Sequence, residues 1–249
     1  MTRPPATNAR TLLVATALAV GIFAVGAAAK ERKTEPAPTP LEAGEPPYCD
    51  FQVFKRAAEV VPDGDGLRRE HAFRLGKVVL VGLAVGDSRP DDVQRLSERY
   101  SSPKAGVPQK YCTWYLNKGE AAQERLFNWQ YVENPRDMRP AEAAVQYAAR
   151  LNGIFDAAPV SFLSCAQAHG YIALGCNGMK HRGPSVMAML LAYTGCTPKH
   201  ALDIANYFWG SHGVSDETRT AVIGEGYELG KSHASHSAKL RALLTATAL

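Results

Sequence analysis

The run Tyr171-Ile-Ala-Leu-Gly-Cys-Asn-Gly-Met-Lys-His-Arg-Gly-Pro-Ser-Val-Met-Ala-Met-Leu-Leu-Ala-Tyr193 divides into three parts. Tyr171 to Gly175 is short and apolar, as a buried strand is. Pro184 suits the first turn of a helix, and Gly195 stands just past its end. Val186, Met187, Met189, Leu190 and Leu191 make that helix apolar nearly all round, which predicts a core helix. Between strand and helix lies Cys176-Asn-Gly-Met-Lys-His-Arg182. A cysteine and an arginine at this spacing can close a loop around a tetrahedral oxyanion. The cysteine supplies a thiolate, and the arginine supplies a planar fork of N–H donors for two oxygens. A helix N-terminus behind the loop adds free N–H groups and favours both an anion and a thiolate.

The other loop residues divide the work. Backbone N–H groups of Asn177, Gly178, Met179, Lys180, His181 and Arg182 line the anion, and Gly178 is expected to let the turn close without a Cβ. Lys180 and His181 add positive field that suits a multiply charged substrate. His181 also reads as a hydrogen-bonding prop of the loop.

Cysteine, glycine and arginine in one loop, an apolar helix, and then Gly195-Cys-Thr-Pro-Lys-His-Ala-Leu202 resemble the signature region of cysteine-dependent phosphatases of the dual-specificity and tyrosine type. The strong resemblance runs from Gly170 to about Ile204, and a weaker one reaches back to about residue 75. It implies an α/β, three-layer phosphatase-like domain: a mostly parallel sheet of four or five strands with helices on both faces. It also implies hydrolysis of a phosphoester through a phosphocysteine, without metal or cofactor. The substrate would be a phosphoprotein, a phosphoinositide or an inositol phosphate. Lys180-His181 is similar to the inositol-phosphate-cleaving and atypical dual-specificity branches. The family's leaving-group acid maps onto Asp137 in Asn134-Pro-Arg-Asp-Met-Arg-Pro140, with Glu133 as the alternative. Two positions depart from the pattern. Gly175 stands where the family has histidine, and Gly183 where it has serine or threonine. That hydroxyl helps the cysteine leave, so its absence implies a slow enzyme or a phosphate-binding protein without turnover.

Outward from the loop, strands and helices alternate, which argues for an α/β layered domain with a mostly parallel sheet. Strands are expected at 77–85, 111–116, 128–132 and 171–175. A helix capped by Asp87 or Ser88 is expected to run to about Tyr100, followed by a loop to Gln109 and a short helix over 120–126. Pro140 opens a helix to about Phe155. Thr197 and Ser215 cap two more, with Asp216 and Glu217 suiting the dipole of the second, and a last helix starts near Ser235. Ligands of such sheets bind at the C-terminal strand ends, where Cys176 falls.

The N-terminus reads as a targeting segment. Arg3 and Arg10 precede an apolar run from Thr11 to Ala29 that ends in Ala27-Ala-Ala29. The run is as long as a short membrane span, and its end resembles a signal-peptidase site. Residues 1–29 are therefore a signal peptide or a membrane anchor, and the protein is exported or held by a single membrane span. Residues 30–47, rich in proline and glutamate, read as an extended linker, and 48–249 as the domain.

Five cysteines are present, so pairing leaves one over. With Cys176 as nucleophile, Cys49, Cys112, Cys165 and Cys196 can form two disulfides in an oxidising compartment. An antiparallel strand and helix around the loop suggest Cys165–Cys196, leaving Cys49–Cys112. The alternative is four buried free thiols in a reducing compartment. No Cys-x-x-Cys or histidine spacing points to a metal. The net charge of +4, without basic runs interleaved with aromatics, argues against nucleic acid.

Overall fold

The computed structural model describes residues 34–59, 71–84, 112–118, 128–155 and 160–246. The targeting segment, the helices expected at 87–100 and 120–126 and the loop between them lie outside these residues.

The described residues form an α/β domain. The strands are β1 (Ala58–Glu59), β2 (His71–Leu75), β3 (Val78–Ala84), β4 (Thr113–Tyr115), β5 (Asn128–Trp129) and β6 (Tyr171–Cys176). The helices are α1 (Phe51–Arg56), α2 (Pro140–Phe155), α3 (Phe162–His169), α4 (Arg182–Tyr193), α5 (Pro198–Trp209), α6 (Asp216–Ser232) and α7 (Ala234–Thr245). Strand order is β1-β2-β3-β6-β4-β5, so four strands of three residues or more carry a two-residue strand at each edge.

The sheet is mixed, which corrects the mostly parallel sheet expected from the alternation. β6 lies at the centre and is parallel to β3, with Val79 opposite Tyr171 and Ala84 opposite Cys176. On its other side it is parallel to β4, with Thr113 opposite Ala173. β2 and β3 are antiparallel, joined by a tight turn at Gly76-Lys77 with Gly76 in the left-handed region (φ 55). Such a turn allows only antiparallel neighbours, whereas parallel ones need a long crossover. β3 and β6 are buried along their whole length, the behaviour of central strands covered on both faces.

Capping fixes the helix starts. Ser161 and Ser164 form a reciprocal capping box on α3, Thr197 caps α5 through the His200 N–H, and Ser215 caps α6 through the Thr218 N–H. α4 is buried from Gly183 to Tyr193 and packs on β6 and β3, with α5 and α6 against it. The core helix read from the sequence is therefore at the centre of the domain.

Residues 34–46 carry no helix or strand but lie fastened along the domain as a strap. Its end packs near the close of α4: Glu45 bonds His200 and the Thr197 N–H, and Tyr48 donates to the Thr194 carbonyl. Disulfides join Cys49 to Cys196 and Cys112 to Cys165, and Cys176 is free. The four bridging cysteines and the odd one are as expected, but the pairing is not. Cys165 lies inside α3, a helix the sequence reading omitted, and faces the β4 end rather than the end of α4.

Candidate active site

β6 ends on Cys176 and α4 begins on Arg182, so one loop spans a central strand end and a helix N-terminus. The N-cap position, His181, makes no side-chain cap, so the first N–H groups of α4 have no side-chain acceptor there. Cys176 is 3% exposed.

The turn closes differently from expectation. Gly178 is not in the left-handed region, whereas Met179 is, with φ 45. A non-glycine residue there is strained, and burial holds it: Met179 is fully inaccessible to solvent. Its side chain lies between the first turn of α4 and β3. A Cβ built on Gly183 would fall 2.2 Å from Met179 Sδ and 3.4 Å from Cys176 Sγ. One built on Gly82 would fall 2.7 Å from Met179 Cε and 3.3 Å from Trp209 Nε1. Gly183 is thus the residue this loop requires, because the thioether occupies the space a side chain would need. Ser185, the nearest hydroxyl along α4, is buried and donates to the His181 carbonyl at 2.9 Å.

Arg182 is aimed by its neighbours. Its Nε donates to the Val132 carbonyl at 2.7 Å, and its guanidinium lies over the Tyr131 ring, 5.9 Å from the centroid. Lys118 approaches the same ring at 5.8 Å. The neighbouring Glu133 carboxylate is the main reason the Tyr131 hydroxyl titrates above the ordinary range, while Arg182 pulls the other way. Buried Tyr147 donates to the Glu133 carbonyl at 3.0 Å. Burial raises its phenol well above the usual range, and the charges of Arg182, Cys176, Arg219 and Glu133 all act on it.

His181 is a prop, as read from the sequence: its Nε2 meets the His212 carbonyl at 3.1 Å and so carries the proton. Burial lowers its pKa, and Arg136, Arg182 and Lys180 lower it further, which favours neutral imidazole. The turn that holds His212 is braced by Arg219 of α6. This arginine, 1% exposed, donates to the carbonyls of Gly210 and Ser211 at 3.1 and 3.3 Å and to Asn206. Burial lowers its pKa to about 10, so it stays charged.

The expected acid is placed apart from this network. Asp137 is exposed in a 3-10 turn, Pro135–Asp137, where Asn134 donates to its carboxylate at 3.0 Å. Glu133 is the carboxylate that acts on Tyr131 together with Arg182. The structure therefore gathers Cys176, Lys180, His181, Arg182 and Glu133, with Asp137 in the adjoining turn. Sequence reasoning missed Tyr131 and Arg219. An isolated arginine in an amphipathic helix gives no sign that it will be buried.

Among the described residues no cluster of histidine, cysteine, aspartate and glutamate could hold a metal ion. No family model, no curated protein and no solved structure matches the chain.

Proposed function

We propose that the chain is a cysteine-dependent phosphoester hydrolase with a phosphatase-like three-layer domain, exported or membrane-anchored. The observation that carries this reading is the loop itself. A free cysteine ends the central strand, an anchored arginine opens the core helix, and Lys180, His181 and Arg136 stand around them.

In the first half-reaction the Cys176 thiolate attacks phosphorus, and the bond from phosphorus to the leaving oxygen breaks. Arg182, held through Nε, presents its other N–H groups to the phosphoryl oxygens together with the loop N–H groups. A carboxylic acid gives its proton to the leaving oxygen. Asp137 is the acid the resemblance implies, and Glu133 is the one whose surroundings include Arg182. Water then attacks the phosphocysteine, releasing phosphate and returning the thiol.

A second reading, an envelope protein that binds an anion with little or no turnover, has its own support. Met179 fills the space beside Gly183, and the Ser185 hydroxyl is committed to a backbone carbonyl, so neither position offers a hydroxyl to the departing cysteine. The two disulfides fit an exported protein. No helix of the described residues is long and apolar enough to cross a membrane.

Hydrolysis of p-nitrophenyl phosphate by the purified protein, beside Cys176→Ser, separates the readings. Turnover lost in the variant supports the hydrolase. Vanadate binding that requires Arg182, without turnover, supports the binder. Neither activity nor binding removes both.

A further inference from the structure

A second site lies away from the cysteine loop, at the opposite end of α4. A cavity of about 240 Å³ opens where the strap, at residues 42–45, crosses the ends of α4 and α6 and the first turns of α7. Tyr193, Tyr227, Lys231, Ser237 and Arg241 line it with small residues between them. Its volume is below that of drug-sized pockets, which start at roughly 300 Å³.

The charges around it are unequally engaged. Glu45 is bonded to His200 at 2.9 Å and to the Thr197 N–H. Lys231 pairs with Glu228 at 2.8 Å and sits over the Tyr227 ring at 4.3 Å. Ser237 donates to the Tyr193 carbonyl at 2.6 Å. Arg241 is the half-buried exception. Its guanidinium has no hydrogen bond or ion pair among the described residues, though its charge reaches the Tyr48 hydroxyl. Room for it is made at Gly195 (φ +112), where a Cβ would lie 3.3 Å from Nη1. A planar fork of donors at a cavity wall matches a carboxylate. The carboxylates of Glu42 and Glu45 in the same lining disfavour a dianion.

We propose that this cavity binds a small organic monocarboxylate, with the carboxylate on Arg241 and the body against Tyr227. The site is independent of the Cys176 chemistry. Thermal unfolding of the full chain at fixed ionic strength tests it, with acetate, butyrate and benzoate as probes and benzamidine as a cationic control of benzoate's shape. At ten times its dissociation constant, a bound carboxylate raises the midpoint by about 2–6 °C. The rise is absent in Arg241→Gln, halved or less in Arg241→Lys, and unchanged in Cys176→Ser. Since Arg241→Gln also alters the unliganded midpoint, the quantity compared is the shift within each protein. No shift with any of the three carboxylates, an equal shift in Arg241→Gln, or an equal shift with benzamidine overturns the proposal.

Discussion

Each end of helix α4 carries a cysteine, and the two are put to opposite uses. Before the helix, Cys176 is free and buried, and Arg136, Lys180 and Arg182 act on His181 of the same loop. After it, Cys196 is bridged to Cys49, and buried Glu45 and His200 pair beside the bridge. Both ends are buried, so burial alone does not distinguish them. Their surroundings do: one end collects Arg136, Lys180 and Arg182 with an N-terminal set of N–H groups, while the other is covalently closed and bonds Glu45 to His200 and the Thr197 N–H. A strained methionine is kept at the first, whereas the second holds the strap to the domain.

The contrast can be broken at several points. The largest effect should come from Cys49→Ser with Cys196→Ser. Removing a bridge that spans 147 residues costs about 2–5 kcal/mol, and calorimetry should show the loss while alkylation of Cys176 per folded molecule is unchanged. Arg219→Ala comes next, because it empties the space of a buried side chain and takes a charged donor from the Gly210 carbonyl and from Asn206. About 2–3 kcal/mol should be lost in urea unfolding, together with phosphate protection of the loop, since the His212 carbonyl is no longer braced. Gly183→Ser should cost about 1–3 kcal/mol by driving its side chain into Met179. Met179→Gly in the same chain should relieve that clash, so the two changes combined cost less than their sum, a coupling a double-mutant cycle measures.

The smallest effect concerns pH at the closed end. Burial pushes the Glu45 carboxyl up, but hydrogen bonds from His200, Thr197 and the Glu42 N–H outweigh it and hold its pKa below the ordinary range. A folded-state pKa below the unfolded one gives stability that is complete above the ordinary carboxylate pKa. It is lost as pH falls through the lowered value. The midpoint of the wild type should therefore fall more steeply below about pH 4.5 than that of Glu45→Gln.

The sequence made the loop end of α4 far more legible than the other. Pro140, Thr197, Ser215 and the apolar run of α4 mark helix starts by local chemistry, and the structure begins α2, α5 and α6 where those signals stand. Tyr171 to Gly175 announces a central strand by being apolar throughout. By contrast, β2 was overlooked because Arg74 and His71 interrupt its pattern at an outer position, and with it went the antiparallel hairpin. α1 and α3 are only six and eight residues long, too short for a periodicity to stand out. Missing α3 displaced Cys165 and spoiled the disulfide pairing. The strap has no periodicity at all. Its contacts with α5 are set by single residues, Glu45 with His200 and Thr39 with Lys199, 155 and 160 positions apart. The turn residue Met179 was misjudged because glycine is the cheaper choice for a left-handed position, and Gly178 lies next to it.

Alkylation of Cys176 by iodoacetate in the folded, disulfide-intact full chain, followed by intact mass, tests the central claim most directly. One cysteine should be modified, more slowly with added phosphate, and the protection should be lost in Arg182→Met. A Cys176 that reacts only when the protein unfolds, or that reacts at the same rate with and without phosphate, would contradict it.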